Sequence, residues 1–223
     1  MPAPLPWSPS HLDSFVSCPH SFHEQKVLKS IPYVQGEEAK WGEYVHKTFE
    51  NYIRHDGTSL PDGLAEHKKF LDFLKALHGE PALEEKIALN KKLRPCGQKD
   101  ADVFNRGIID FRKNEGQISR IYDYKTGKPH TKFRQLLIYA LWVFAMFPEV
   151  SIVFGHYYWT KTSSTTKQAW GRNQVKEMWG SLIPDLRQYK EAFDTDTWQK
   201  RQSGLCRGWC PVTSCEFWHP RRV

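Results

Sequence analysis

Apolar side chains in the first third of the chain recur at intervals of three and four residues. This spacing begins after Ser8 or Ser10, either of which is suited to cap a helix, and it returns over residues 37–53 and 64–77. Turn sequences rich in glycine, proline and aspartate separate the last two segments. The pattern therefore predicts three helical segments before residue 80.

After residue 80 the pattern changes to short β-type segments. Strands are predicted over residues 85–89, 103–111 and 118–124, with Asn114-Glu115-Gly116 as the turn of a hairpin between the last two. An apolar helix over 133–147, a strand over 151–160, a polar turn at 163–166 and a final helix over 173–193 complete the chain. This order predicts an α/β or α+β layered fold with a central mixed sheet flanked by helices.

Composition excludes several classes of protein. Aromatic residues make up 14% and charged residues 26% of the 223 positions, which argues against disorder. No apolar run approaches the roughly 20 residues that span a bilayer, and the proline-rich start lacks the pattern of a signal peptide. We therefore expect no membrane association and a cytoplasmic location. The net charge of +7 favours a polyanionic partner, although charge alone is weak evidence for one.

Two aspartates and a lysine end neighbouring predicted strands. Residues two apart on a strand share a face, so Asp123 and Lys125 should point the same way. Hairpin pairing would bring Asp110 near Asp123, and two facing carboxylates favour a hard divalent cation. A lysine beside such a cation can stabilise the charge that develops during phosphoryl transfer. An isolated Asp-x-Lys is more often a solvated strand edge, so the interpretation depends on its surroundings.

Those surroundings resemble the PD-(D/E)XK nuclease superfamily, in particular its RecB-like exonuclease branch. The resemblance extends from about residue 8 to residue 218, and it departs from the name-giving motif in having Ile109 where proline would stand. The matching motifs, in chain order, are Ser10-x-x-x-x-Phe15-x-x-Cys18-Pro19-x-x-Phe22, Gly42-x-x-Val45-His46, Glu84-Glu85-Lys86-Ile87, Gly107-Ile108-Ile109-Asp110, Asp123-Tyr124-Lys125 and Gln135-x-x-x-Tyr139.

The resemblance implies a role for each motif residue. Asp110, Asp123, His46 and the Tyr124 carbonyl would bind Mg²⁺ or Mn²⁺. Glu85, taken as the better candidate of the adjacent glutamates Glu84 and Glu85, would orient a ligand or water. Lys125 would position or activate the attacking water. Gln135 and Tyr139, one helical turn apart, would contact DNA or brace the site, although ordinary helix packing also explains their spacing.

The implied protein is a single nuclease domain over residues 1–223, with a restriction-endonuclease-like core. Its parts would be an N-terminal helical region (8–80), the catalytic core (81–195) and a cysteine-rich segment (203–219). The expected activity is hydrolysis of DNA, by an exonuclease that acts on single-stranded or end-bearing substrates. The small size resembles phage or mobile-element nucleases, which would place the protein in the host cytoplasm with a recombination or replication partner. The oligomeric state does not follow from the sequence.

Three of the five cysteines lie within ten residues near the C-terminus, namely Cys206, Cys210 and Cys215. Such clustering favours a metal site, whose fourth ligand could be Cys18 or His219. Iron–sulfur members of the branch resembled use one N-terminal and three C-terminal cysteines, which implies a [4Fe–4S] cluster that joins the two chain ends through Cys18. The spacing here departs from theirs at the middle cysteine, so zinc and free thiols remain alternatives. Cys96 is expected to be an ordinary thiol.

Two further functions compete with an enzyme. One is a non-catalytic DNA-binding subunit of a recombination or replication complex on the same fold. The other is a metal-stabilised interaction module whose acidic residues are merely exposed. Basic residues before the core (Lys91, Lys92, Arg94) and after Lys125 (Lys128, Lys132, Arg134) are suited to contact phosphates, or equally to form a solvated face.

Overall fold

The protein is described from a computed structural model that covers residues 4–220. Its residues form two compact units. One unit combines the chain up to Val34 with the chain from Gly180 onward, and the other comprises Gln35–Trp179. The division into a helical region, a catalytic core and a cysteine-rich segment within a single domain stays a prediction. None of the described helices is both long enough and apolar enough to cross a bilayer.

The first unit contains short helices from the N-terminal end of the chain. Helix α1 spans Pro9–Ser17, and the Ser8 hydroxyl caps it by accepting the His11 amide at 3.2 Å. Helix α2 spans Pro19–Phe22 and continues into a π-helical turn at His23–Val27. The rest of this unit comes from the C-terminal part of helix α6 (Val175–Thr195), numbered in chain order, and from the cysteine-rich segment.

Aromatic rings hold this unit together. Phe15 and Phe22 are fully buried, and each packs edge-to-face against Tyr189 of α6. The Tyr189 hydroxyl donates to the Leu5 carbonyl at 3.2 Å. Such edge-to-face pairs stabilise a core beyond the burial of their area.

The second unit is built on a five-stranded sheet. Its strands are β1 (Pro81–Asn90), β2 (Val103–Glu115), β3 (Ile118–Lys125), β4 (Ile152–Trp159) and β5 (Ser164–Gly171). They lie in sequence order, with β3 and β4 parallel and the other pairs antiparallel. The predicted mixed sheet flanked by helices is therefore confirmed.

Strand β5 is a sheet strand that sequence patterning missed. Its sequence from Ser164 to Gln168 is polar and mostly exposed, because β5 forms an edge of the sheet with β4 as its only neighbour. Alternation of apolar residues is a signal of burial, so an exposed edge strand leaves little of it. Of the predicted turn at 163–166, only Ser163 lies outside the strand, where it adopts a left-handed backbone.

Helices cover both faces of this sheet. Helix α3 spans Glu37–Arg54, α4 spans Lys68–Ala76 after a 3₁₀ turn, and α5 spans Arg134–Met146. Buried residues of α3 and α4 form one core with Phe111, Tyr122, Tyr124 and Tyr158 of the sheet. The two tyrosines of β3 therefore face α3, and the alternation of a strand turns Asp123 and Lys125 toward α5.

Candidate active site

Strands β2 and β3 separate where the predicted acidic residues lie. Their residue pairs run from Glu115–Ile118 to Phe111–Tyr122, while β3 continues to pair with β4 as far as Lys125. Asp110 lies just beyond the Phe111–Tyr122 pair, and its Oδ2 accepts the backbone N–H of Tyr124 at 2.7 Å. A side-chain carboxylate thus satisfies a backbone donor that the sheet leaves unpaired.

Three side chains meet beside this opening. His46 of α3, Glu84 of β1 and Asp110 of β2 each contribute one ligand-type atom, and these atoms lie within 4.8 Å of one another. The Nδ1 atom of His46 is 3.4 Å from Asp110 Oδ2 and 3.8 Å from Glu84 Oε1. Its Nε2 atom is 3.0 Å from the carbonyl oxygen of Tyr124. The Nδ1 atom and the two carboxylates form a donor set that suits Mn²⁺ or Mg²⁺, while the Tyr124 carbonyl holds the opposite edge of the imidazole.

The two carboxylates perturb the titration of His46. Burial of the imidazole opposes its protonation, but Asp110 and Glu84 outweigh this effect and raise the pKa of His46 to about 10. Without a metal, the imidazole is therefore protonated at neutral pH and its charge neutralises the acidic pocket. A divalent cation would have to displace that proton, because only the neutral imidazole is a ligand.

The two adjacent glutamates lie in different surroundings. Glu84, rather than Glu85, lies with His46 and Asp110, whereas Glu85 accepts two hydrogen bonds from Arg112 at 2.6 and 2.7 Å. Glu84 adopts a left-handed backbone, with φ +48° inside a strand. For a residue with a Cβ this conformation costs on the order of 1 kcal/mol, a strain that often marks functional sites.

One oxygen of Glu84 lacks a hydrogen-bond partner. Its Oε1 is buried and accepts no hydrogen bond from the described residues, although the imidazole of His46 lies 3.8 Å away. A buried carboxylate oxygen without a donor is costly unless a cation is supplied. The residues present therefore fit a hard divalent ion.

A second network surrounds Asp123. Its Oδ2 is 2.6 Å from the Lys125 ammonium, and its Oδ1 accepts Gln135 Nε2 at 2.8 Å and the Tyr139 hydroxyl at 3.3 Å. The Gln135 amide also accepts from Lys125 at 2.8 Å through Oε1, and donates to Tyr139 at 2.6 Å. One glutamine of α5 thus orients both the aspartate and the lysine of β3.

Asp123 is almost completely buried, with 2% of its surface exposed. This burial, reinforced by Asp110, raises the pKa of Asp123 to about 6 even though Lys125 lowers it. A cation near Asp110 would therefore stabilise the ionised form of Asp123, in addition to the stabilisation by Lys125.

The predicted site residues fall into two neighbouring groups. The first group contains His46, Asp110 and the Tyr124 carbonyl, and the second contains Asp123, Lys125, Gln135 and Tyr139. Glu84 lies with the first group, whereas Glu85 pairs with Arg112. Patterning identifies the adjacent pair of glutamates, but it cannot select between them. Regular alternation breaks at the left-handed residue, which nothing in the sequence marks.

The four cysteines predicted to bind a metal line one cavity of the first unit. Cys18, Cys206, Cys210 and Cys215 all border this cavity of about 430 Å³, and all are free thiols. Backbone N–H groups of Arg201 and Ser203 donate to the sulfurs of Cys18 and Cys206 at 3.5 Å. His219 lies outside the lining and instead pairs its backbone with that of Cys206.

The cysteine sulfurs are not gathered around one point. Among the described residues, the close groups of three or more metal-ligand atoms include none of these four cysteines. A single tetrahedral zinc would hold its sulfurs about 3.8 Å apart, given Zn–S bonds of about 2.3 Å. Cys96 lies elsewhere, in the β1–β2 loop, where burial and two nearby aspartates raise the pKa of its thiol.

Comparisons with known proteins identify a superfamily. The sequence model of the PD-(D/E)XK nuclease superfamily matches residues 6–215. No curated protein matches the sequence.

Two solved structures resemble the fold. The protein SSO0001 superposes with a TM-score of 0.53 at 14% identity, over 92% of this chain and 84% of its own. A protein from Eubacterium rectale that carries the provisional description of exonuclease superposes with a TM-score of 0.55 at 11% identity, over 95% and 86%. At these identities the likeness is one of fold.

Proposed function

Because this chain belongs to the PD-(D/E)XK nuclease superfamily, we propose that it is a metal-dependent deoxyribonuclease with its reaction centre at the opening between β2 and β3. The observation that carries the proposal is the meeting of His46, Glu84 and Asp110 beside a lysine held by Asp123. A histidine, two carboxylates and a neighbouring lysine supply both the ligands for a cation and a charge for the phosphate.

We propose that Mg²⁺ or Mn²⁺ binds at His46, Glu84 and Asp110, with Asp123 and the Tyr124 carbonyl completing the ligand set. When bound, the ion supplies Lewis-acid activation of the scissile phosphate and lowers the pKa of water for the attack. The raised pKa of Asp123 supports this assignment, because a cation would stabilise its buried carboxylate. The raised pKa of His46 shows that the carboxylates around it favour a positive charge at this place.

Lys125 is proposed to position the attacking water and to stabilise the negative charge that develops on the phosphoryl oxygens. Its ammonium lies between Asp123 Oδ2 and Gln135 Oε1, which limits its rotation. This preorganisation favours the reaction, because the ammonium does not have to reorient as negative charge develops on the phosphate. Gln135 and Tyr139 act on the site through Asp123 and Lys125, and so are positioning residues.

The substrate preference is proposed from resemblance. The ordered motifs resemble those of the RecB-like exonuclease branch, and the E. rectale neighbour carries the provisional description of exonuclease. We therefore propose cleavage from DNA ends, with single-stranded or end-bearing substrates preferred. A phage or mobile-element origin and a recombination or replication partner stay predictions.

We further propose that Cys18, Cys206, Cys210 and Cys215 hold a structural [4Fe–4S] cluster. The shared cavity and the N–H donors to two sulfurs support it, since such donors are common around iron–sulfur thiolates. The four thiolates of a cluster bind four different iron atoms, so their sulfurs lie farther apart than around one zinc. This agrees with four cysteines that share a cavity without meeting at one point.

A time course on end-labelled single- and double-stranded DNA tests the proposed activity. Cleavage is expected with Mg²⁺ or Mn²⁺ and not with EDTA, and Lys125→Ala should remove it while the protein still binds DNA. A wild-type protein that binds DNA but cuts neither substrate under any metal would favour the non-catalytic DNA-binding subunit. A protein that neither binds nor cuts DNA would favour the interaction module.

A further inference from the structure

The β1–β2 hairpin continues well past the candidate active site. From Glu84 to the end of β1 at Asn90 there are six residues, about 20 Å of strand at the usual rise. Residues 86–106 carry six basic and two acidic side chains, a net charge of +4 within a chain whose total is +7. We call residues 86–106 the basic arm.

One face of the basic arm continues the face that carries Asp110. A Cβ at Gly107 would lie 2.5 Å from Trp142 of α5, and Asn105 accepts a hydrogen bond from the same indole. Residues 105 and 107 of β2 therefore face α5, and alternation turns Arg106 and Ile108 to the side of α3, whose His46 contacts Asp110.

Strand β1 adds to the same surface. Lys86 pairs directly with Ile108 in the antiparallel ladder, so their side chains stand side by side on one face. Lys86 and Arg106 are exposed, and Ile108 exposes 40% of its surface. Exposed residues Lys86, Ile108 and Arg106 thus lie on this face between Asp110 and the tip of the arm, around the buried Ala88.

The tip of the arm is basic, and hydrogen bonds within it hold its turn. Lys91, Lys92 and Arg94 are all exposed. The Asn90 side chain accepts the backbone N–H groups of Lys92 at 2.9 Å and Arg94 at 3.1 Å, which fixes the turn between them. Because the turn is already formed, a partner that binds it loses little conformational entropy in ordering these residues.

We propose that the basic arm binds the phosphate backbone of the DNA strand that extends away from the scissile position. This inference rests on the proposed nuclease function and adds the path of the substrate. Each strand of a duplex carries one phosphate for about every 3.4 Å of helix axis, so a 20 Å arm lying along the axis spans about six base pairs. Charge complementarity favours DNA over a protein partner, and contacts to phosphate alone give no sequence preference.

A triple variant of the tip tests the proposal. Lys91→Ala/Lys92→Ala/Arg94→Ala removes three exposed charges, and Lys69→Ala/Lys167→Ala/Lys176→Ala removes three exposed charges from other parts of the same unit as a matched control. Binding of a fluorescein-labelled 20-base-pair duplex is followed by anisotropy between 50 and 200 mM salt, with EDTA present so that nothing is cut.

The arm variant should bind the duplex at least about tenfold more weakly at 50 mM salt. Each lost phosphate contact also lowers the slope of log affinity against log salt by about 0.9, so the slope should fall by about three in all. The control variant should keep the wild-type slope. Equal losses in both variants, or an unchanged slope in the arm variant, would overturn the proposal.

A small substrate separates this proposal from the proposed function. Hydrolysis of bis(p-nitrophenyl) phosphate with Mn²⁺ requires the reaction centre but cannot reach the arm. The arm variant should keep this activity within about twofold of wild type while losing cleavage of the duplex. If wild type hydrolyses neither substrate, the nuclease proposal fails, and the anisotropy slopes still decide the role of the arm. If the arm variant loses both activities in parallel, the arm proposal fails.

Discussion

The carboxylate of Asp110 accepts the backbone N–H of Tyr124 at 2.7 Å, just past the last residue pair that joins β2 and β3. The carbonyl of the same tyrosine is 3.0 Å from His46 Nε2. Tyr124 therefore links the aspartate of β2 to the histidine of α3 through its backbone alone. The aromatic ring of Tyr124 packs in the core between α3 and the sheet.

The adjacent glutamates provide the sharpest mutational comparison. Glu84→Gln removes a charge from the group that contains His46 and Asp110, so we expect the affinity for Mn²⁺ and the cleavage rate to fall at least about tenfold. The free energy of unfolding should change little. Mn²⁺ titration followed by electron paramagnetic resonance, together with single-turnover cleavage, measures both effects.

Glu85→Gln is the matched control, because it changes the neighbouring residue in the same way. It weakens the two charge-assisted bonds to Arg112, which is 7% exposed, and should lower the free energy of unfolding by about 1–2 kcal/mol in urea denaturation. Metal affinity should be nearly unchanged. If Glu85→Gln instead lowers the affinity for Mn²⁺ and Glu84→Gln does not, Glu85 is the glutamate of the site, as the sequence predicts.

The pH dependence of metal binding follows from His46. Its pKa of about 10 in the metal-free protein means that a bound cation displaces one proton throughout neutral pH. Apparent affinity for Mn²⁺ should therefore rise about tenfold per pH unit between pH 7 and 8.5, a range above the pKa of about 6 of Asp123.

His46→Gln should bind Mn²⁺ more weakly, and its affinity should be nearly independent of pH over the same range. Calorimetry in two buffers of different ionisation enthalpy counts the released proton directly. A wild-type affinity that is flat with pH would mean that the imidazole does not lose a proton to the metal.

Gln135 should act on the reaction rate more than on substrate binding. Gln135→Ala removes the amide that orients both Asp123 and Lys125. We expect kcat to fall about 10–100-fold with a small change in KM, as is common for groups that orient ligands. Tyr139→Phe loses only the 3.3 Å bond to Asp123 and that from Gln135, and should have a smaller effect. A loss confined to KM would instead indicate a direct contact with DNA.

The cysteine cavity gives an independent prediction of colour and stability. Anaerobically purified protein should be brown with broad visible absorption, and Cys210→Ala should lose the colour and much of the soluble yield. Cys96→Ser is the control, since Cys96 lies outside the cavity. A colourless wild-type protein with one bound zinc, or equal yields of Cys210→Ala and wild type, would remove the cluster.

Much of this site can be predicted from the sequence because its residues follow strong local patterns. Asp123 and Lys125 alternate with buried tyrosines on an apolar strand, so the two-residue period of a strand is enough to place them on one face. The position of Glu84 cannot be predicted in this way, since its left-handed backbone breaks the alternation that would otherwise assign sides. Strand β5 escapes prediction for a related reason, as a polar edge strand lacks a buried face to mark it.

The most direct test of the reaction centre is the effect of Asp110→Asn on Mn²⁺ binding and DNA cleavage in the same preparation. The amide oxygen can still accept the Tyr124 N–H, so the fold should survive with a nearly unchanged midpoint of thermal unfolding. We predict that the variant loses at least about a hundredfold in single-turnover cleavage and binds Mn²⁺ far more weakly. A folded Asp110→Asn protein that cuts DNA at the wild-type rate would contradict the account.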